Sequence, residues 1–208
     1  LPEAPSSLLV YFHGSAKEAD KVWALLNEPK PMMVTIPCRD WNQDYSPWPA
    51  ENVWKKSPPF AGGADKWVSF WIEDLLPLVE ERLPVKVRCR ATMGYSLAGL
   101  FSIFTVLQCS LFDAAASVSG SLWYDDFAEY VRNHIPHKRP SIGYFSLGVR
   151  EKNAKNERMS HVEEKTGEVF DCLRGSSDDW EFRLVDGGHF DNPEKRLADA
   201  VMFIVEHF

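Results

Sequence analysis

The sequence has no CxxC pair, no apolar run near the roughly 20 residues of a membrane span, and no basic stretch leading into an apolar one near its start. These absences argue against a redox dithiol, a membrane anchor and a secretory leader, and they lead to the expectation of a cytoplasmic protein with no membrane partner. Basic patches are also missing. With 23 Lys and Arg against 30 Asp and Glu, the net charge of -7 disfavours nucleic acid, whose binding relies on cationic side chains that neutralise phosphates. A small neutral or cationic partner fits better. Repeats and low-complexity segments are absent, and 208 residues with 45% hydrophobic content are read as one globular domain over 1–208.

Metal-ligand spacing is absent as well. His134 and His137 flank Pro136 with no third ligand nearby, so they are read as solvated surface, and neither a metal nor another cofactor is expected. Of the four cysteines, Cys38, Cys89 and Cys109 fall within apolar strands or helices and are read as buried reduced thiols.

What is present is a repeating order of elements. Strand-length apolar runs occur at Leu8–Phe12, Met32–Pro37, Val87–Met93, Phe112–Val118, Ile142–Leu147 and Phe182–Val185, separated by helix-like segments. Continuous apolar strands alternating with helices imply a parallel sheet covered on both faces, a three-layer α/β domain. The final helix shows Asn192 as N-cap, Pro193 at its first position and an apolar stripe through Leu197, Val201, Ile204 and Phe208. The helix before it is read through Met159, Val162, Val169, Phe170 and Leu173.

The segment Met93-Gly94-Tyr95-Ser96-Leu97-Ala98-Gly99 sits where an apolar strand turns into an apolar helix. A serine on such a turn points its Oγ away from the sheet, and the next amide lies at a helix N-terminus that favours negative charge. Small residues at Gly94 and Ala98 are needed because the backbone passes so close to its neighbours.

A serine hydroxyl needs a base, and that base needs an orienting acid. His189 follows Val185-Asp186-Gly187-Gly188 in a glycine-rich turn at the end of the last strand, where it can reach the sheet edge from which Ser96 emerges. Two acids compete. Glu151 lies just past the strand ending at Leu147. Asp186 shares the histidine's own strand end and would have to fold back. Glu151 is preferred, because Ser96, Glu151, His189 is the serine, acid, histidine chain order of α/β hydrolases. The oxyanion needs preorganised donors: Leu97 N–H is one, and Ser15 N–H, after the Phe12-His13-Gly14 turn, is expected to be the other. The long connection Arg39–Gly63 holds Trp41, Trp48 and Trp54 among prolines, and a loop of that length is unusual unless it functions. Trp41, Trp48 and Trp123 are expected to line the substrate pocket.

On YFHGS, DWNQDYSPWPA, GYSLAG, SGSLWY, SLGVREK and GGHF, the chain resembles the putative-esterase group of α/β hydrolases, which includes S-formylglutathione hydrolase, feruloyl esterase and trilactone siderophore esterase domains. The resemblance runs from about Leu8 to the C-terminus. It implies a serine hydrolase without cofactor, with Ser96 as nucleophile, His189 as base and Glu151 as acid. Two departures are expected: a shortened fold of about six mostly parallel strands, lacking an initial antiparallel pair, and room for one helix but no lid domain between Gly120 and Ser141. An uncovered site favours small soluble esters over lipid droplets. The rival readings are acyl transfer or amide and peptide cleavage with the same residues, and a catalytically silent hydrolase fold used for binding.

Overall fold

The computed structural model describes residues 7–54 and 57–208. In chain order the elements are β1 (Leu8–His13), α1 (Ala16–Leu25), β2 (Met32–Thr35), α2 (Trp41–Asp44), β3 (Pro49–Ala50), β4 (Phe60–Ala61) and α3 (Ala64–Phe70), then a π-helical turn (Trp71–Leu75) running into α4 (Leu76–Glu81). They continue with β5 (Cys89–Tyr95), α5 (Leu97–Gln108), β6 (Ala114–Val118), α6 (Phe127–Asn133), β7 (Ile142–Gly148), a 3-10 turn (Glu151–Asn153), α7 (Glu157–Ser160), α8 (Val162–Arg174), β8 (Trp180–Val185) and α9 (Pro193–His207).

The six apolar runs form one sheet in the order β2-β1-β5-β6-β7-β8, and every neighbouring pair is parallel. Side-chain alternation then builds two cores. Leu8, Val10 and Phe12 of β1, with Ala91 and Met93 of β5, pack toward α1 and α9. Leu9 and Tyr11 face the other way, into a larger core with α3, α5, α6 and α8. Central strands are therefore apolar on both sides, whereas edge strand β8 carries exposed Arg183 and partly exposed Glu181. α5 is the buried central helix that its all-round apolar sequence implies, with Leu97 to Val106 inside.

Several details differ from the sequence reading. The 39–63 connection is not irregular throughout: Asp40 caps α2 through Gln43 N, and β3 and β4 form a short antiparallel ribbon. The helix through Met159–Leu173 is broken at His161 into α7 and α8. Asn192 does precede α9, but it is left-handed (φ 51°, ψ 48°) and makes no side-chain cap. Of the cysteines only Cys89 is buried; Cys38 lies beyond β2, Cys109 at the end of α5 and Cys172 on α8, all partly exposed. Between Gly120 and Ser141 the chain forms a single helix, α6. No helix among the described residues is long and apolar enough to cross a membrane.

Candidate active site

Parallel strands deliver their C-terminal ends to one edge, and at that edge β5 turns into α5 through Ser96. Ser96 has φ 58° and ψ -124°, a backbone that a residue with Cβ rarely adopts. The turn is locked from both sides. Ser96 N–H donates to Val118 O at 3.0 Å, and Ser96 O accepts from Ser121 N at 3.0 Å. A Cβ on Gly94 would come within 2.4 Å of Ala98 O, so glycine is required there. Leu97 begins α5, and its amide belongs to the first turn, whose donors the helix itself leaves unpaired.

His189 comes from the turn after β8. Its Nε2 lies 3.0 Å from Ser96 Oγ and its Nδ1 lies 2.8 Å from Glu151 Oε2. A carboxylate beside Nδ1 requires Nδ1 to carry the proton, which leaves Nε2 as acceptor for the serine hydroxyl. The ring rests between Tyr95 (centroids 5.3 Å apart) and Phe190 (4.9 Å, edge-on).

Glu151 sits in the 3-10 turn after β7 and is buried. Burial alone would push its carboxyl up. Hydrogen bonds from His189, from Ser119 Oγ at 2.6 Å and from Gly148 N–H at 2.7 Å outweigh that and hold it below the ordinary carboxylate value. The loops carrying Glu151 and His189 are stitched together: Arg150 N–H donates to Gly187 O at 3.0 Å, and the Arg150 side chain pairs with Asp191 at 2.9 Å. Asp186, the rival acid, is exposed and lines a separate hollow with Phe190, Asp191 and Asn192.

A cleft of about 240 Å³ opens over Ser96 and Leu97, walled by Trp41, Trp54, Phe60 and Trp123 and edged by Asn42 and Asn52. A second lobe of about 190 Å³ shares Trp54, Trp123, Met159 and His189 but reaches toward Arg150, Asn153 and Val162 instead of Ser96. His189 therefore stands at the junction of the two.

Ser96, His189, Glu151, Leu97, Trp41 and Trp123 thus come together. Two residues selected from the sequence do not. Ser15 N–H is turned to the Glu18 carboxylate (3.2 Å), while Ser15 Oγ accepts from Glu18 N (3.2 Å), so the pair caps α1, and Ser15 does not line the cleft. Trp48 packs against Phe127 and Tyr130 and donates its indole N–H to Asp125 O at 3.1 Å, behind the cleft wall. Trp54, Asn42, Ser119 and Arg196 were missed. Arg196 shares a helical face with Ala200 and Phe203, and a charge on that apolar face was a readable signal.

His13 ends β1 at the same edge and belongs to the core. It is fully buried among Tyr45, Trp71 and Phe101, pairs through Nε2 with Thr92 Oγ1 at 2.8 Å, and burial pushes its imidazole down to about 3. Among the described residues no group of three or more His, Cys, Asp or Glu is placed to hold a metal.

The model of the family described as Putative esterase matches residues 8–168. The uncharacterized protein YbbA of Bacillus subtilis is 30% identical over 151 residues, covering 70% of this chain and 60% of YbbA, so the chain spans about 60% of that relative's length. Among solved structures, the siderophore hydrolase EstA of Aspergillus nidulans superposes with a TM-score of 0.76 at 20% identity, over 99% of this chain and 84% of EstA. An IroE-like serine hydrolase from Shewanella oneidensis gives 0.74 at 17% identity, over 96% and 70% respectively. At these identities the likeness establishes the α/β-hydrolase fold.

Proposed function

Because the chain belongs to the Putative esterase family, and is an esterase-type hydrolase in that sense, we propose that it cleaves carboxylic esters through an acyl-enzyme on Ser96. One observation carries the reading: a hydroxyl on a strained strand-to-helix turn lies 3.0 Å from an imidazole whose far nitrogen is 2.8 Å from a buried carboxylate.

The reaction follows from that chain. Ser96 Oγ attacks the ester carbonyl carbon as its proton passes to His189 Nε2, and Glu151 steadies the imidazolium. The tetrahedral oxyanion is stabilised by Leu97 N–H, at the positive end of α5. Collapse breaks the bond to the alkoxy oxygen, which takes the proton from His189 and departs as the alcohol. Water then gives a proton to His189 and attacks the acyl carbon, and Ser96 leaves with that proton. The leaving oxygen has to pass His189 Nε2. We therefore assign the acyl group to the lobe over Ser96 and Leu97 and the alcohol to the lobe beyond His189. The substrates are small esters, which reach Ser96 through the cleft between Trp41, Trp54 and Trp123.

Ser96→Ala removes the attacking atom and is expected to lower p-nitrophenyl acetate turnover by a factor on the order of 10⁶ if the three residues act as a unit. A fluorophosphonate probe is expected to label Ser96 in the parent protein and nothing in the variant. Full turnover by Ser96→Ala would defeat the proposal.

A further inference from the structure

One buried charge has no part in the chemistry above. Arg196, in the first turn of α9, is only 4% exposed. A guanidinium so far from water is tolerated only when an anion compensates it. Its Nη1 and Nη2 each lie 3.4 Å from Glu151 Oε1, the oxygen turned away from His189. Its guanidinium carbon is 5.9 Å from the centre of the Tyr95 ring, on which His189 in turn rests. Glu151 Oε1 already accepts from Ser119 Oγ and Gly148 N–H at 2.6 and 2.7 Å. At 3.4 Å the guanidinium therefore adds charge more than it adds a tight hydrogen bond.

We propose that Arg196 is a positioning residue of this site: its buried positive charge keeps Glu151 an anion and opposes a second positive charge on His189, so the imidazole stays free to act as a base further into the acid range. The inference rests on the reading of Ser96, His189 and Glu151 given above. Turnover stops on acidification when the imidazole holds a proton before the reaction begins. Glu151 favours that proton and a nearby cation disfavours it, so their balance sets where the acid limb falls. The remaining charged groups around the pair are weak opponents. Arg150 and Asp191 form a mutual ion pair with side chains 61% and 50% exposed, and Lys152 pairs with Glu163 at 3.0 Å toward solvent. The Tyr95 phenol, pushed up chiefly by burial, is neutral throughout this range.

The test is the pH dependence of kcat/KM for p-nitrophenyl acetate in the full chain, from about pH 5 to pH 9, across the interval in which a histidine base titrates. Arg196→Met is expected to move the acid limb up by about one pH unit, the size of effect for one charge at this range in a protein interior. Arg196→Lys keeps the charge and is expected to bring the limb back toward the parent. A limb that stays in place in Arg196→Met, or that moves as far in Arg196→Lys, overturns the proposal. Should circular dichroism show Arg196→Met unfolded, Arg196→Gln and Arg196→Lys are compared by the pH dependence of fluorophosphonate labelling at Ser96. Separated curves support the charge role and coincident curves reject it. Ser96→Ala is run alongside. Activity surviving in that variant sinks the acyl-enzyme reading and the Arg196 role together, whereas an unmoved limb in a Ser96-dependent enzyme sinks the Arg196 role alone.

Discussion

Ser96 holds its hydroxyl out by adopting a backbone that costs roughly 1–3 kcal/mol for a residue with a side chain. Glycine adopts φ > 0 without that cost. Ser96→Gly is therefore expected to be inactive yet more stable, with Tm higher by about 2–4 °C for each kcal/mol relieved in a chain of this size. A melting temperature at or below the parent's would show that the turn stores no strain. Ser119 is held at φ 47° in the same way, and its hydroxyl reaches Glu151. At this scale the sequence was legible where local rules suffice: small residues around Ser96, and a glycine-rich turn before His189. It was misread at Ser15, although Ser15-Ala16-Lys17-Glu18 spells out a capping box and so commits that amide to α1. Trp48 was illegible for another reason. Nothing local distinguishes a tryptophan facing the cleft from one facing Phe127 and Tyr130 behind it.

Between elements, the carboxylate and the imidazole arrive on separate loops whose spacing depends on one close approach. A Cβ on Gly148, the last residue of β7, would lie 2.5 Å from Gly187 O and 3.0 Å from Gly188 O in the histidine's turn, and both of these atoms are backbone. Gly148→Ala has to push the two loops apart, and a displacement near 1 Å at a reacting centre costs on the order of 10²-fold in rate. The expected result is a fall in kcat of that order with a folded protein and a modestly changed KM; a kcat equal to the parent's would mean that the loops tolerate separation. All six main strands and the buried helix α5 were legible from apolar runs and their spacing. The ribbon of β3 and β4, two residues each, is too short to leave a period. The break at His161 was hidden because Met159 continues the apolar spacing of α8 into α7.

For the molecule as a whole, acid works against the fold. His13 titrates near 3 when folded and near 6.5 when unfolded, so below pH 6.5 the unfolded chain takes up the proton first. Stability then falls with decreasing pH by as much as about 1.4 kcal/mol per unit down to the folded value. Glu151, held below its ordinary value, acts in the same direction: the stability it contributes is present above the unfolded carboxylate range and lost as pH falls through the folded one. Denaturant unfolding measured between about pH 6.5 and pH 5, above the carboxylate range, reads the six histidines rather than the carboxylates, and comparison with a His13 variant singles out that ring. His13→Leu is expected to flatten that slope even if it lowers stability overall; an unchanged slope would assign the loss to other groups.

Along the chain, the hydroxyl at 96 precedes the imidazole at 189 by 93 residues. The helix that carries Arg196 follows the imidazole and docks back on α1, where Lys21 meets Glu194 at 2.6 Å. During synthesis the attacking group therefore emerges from the ribosome well ahead of its base. On the reading proposed here, a nascent polypeptide is inert toward esters until the turn that carries His189 has been translated and folded against the end of β5, so a chain still short of that turn consumes no substrate.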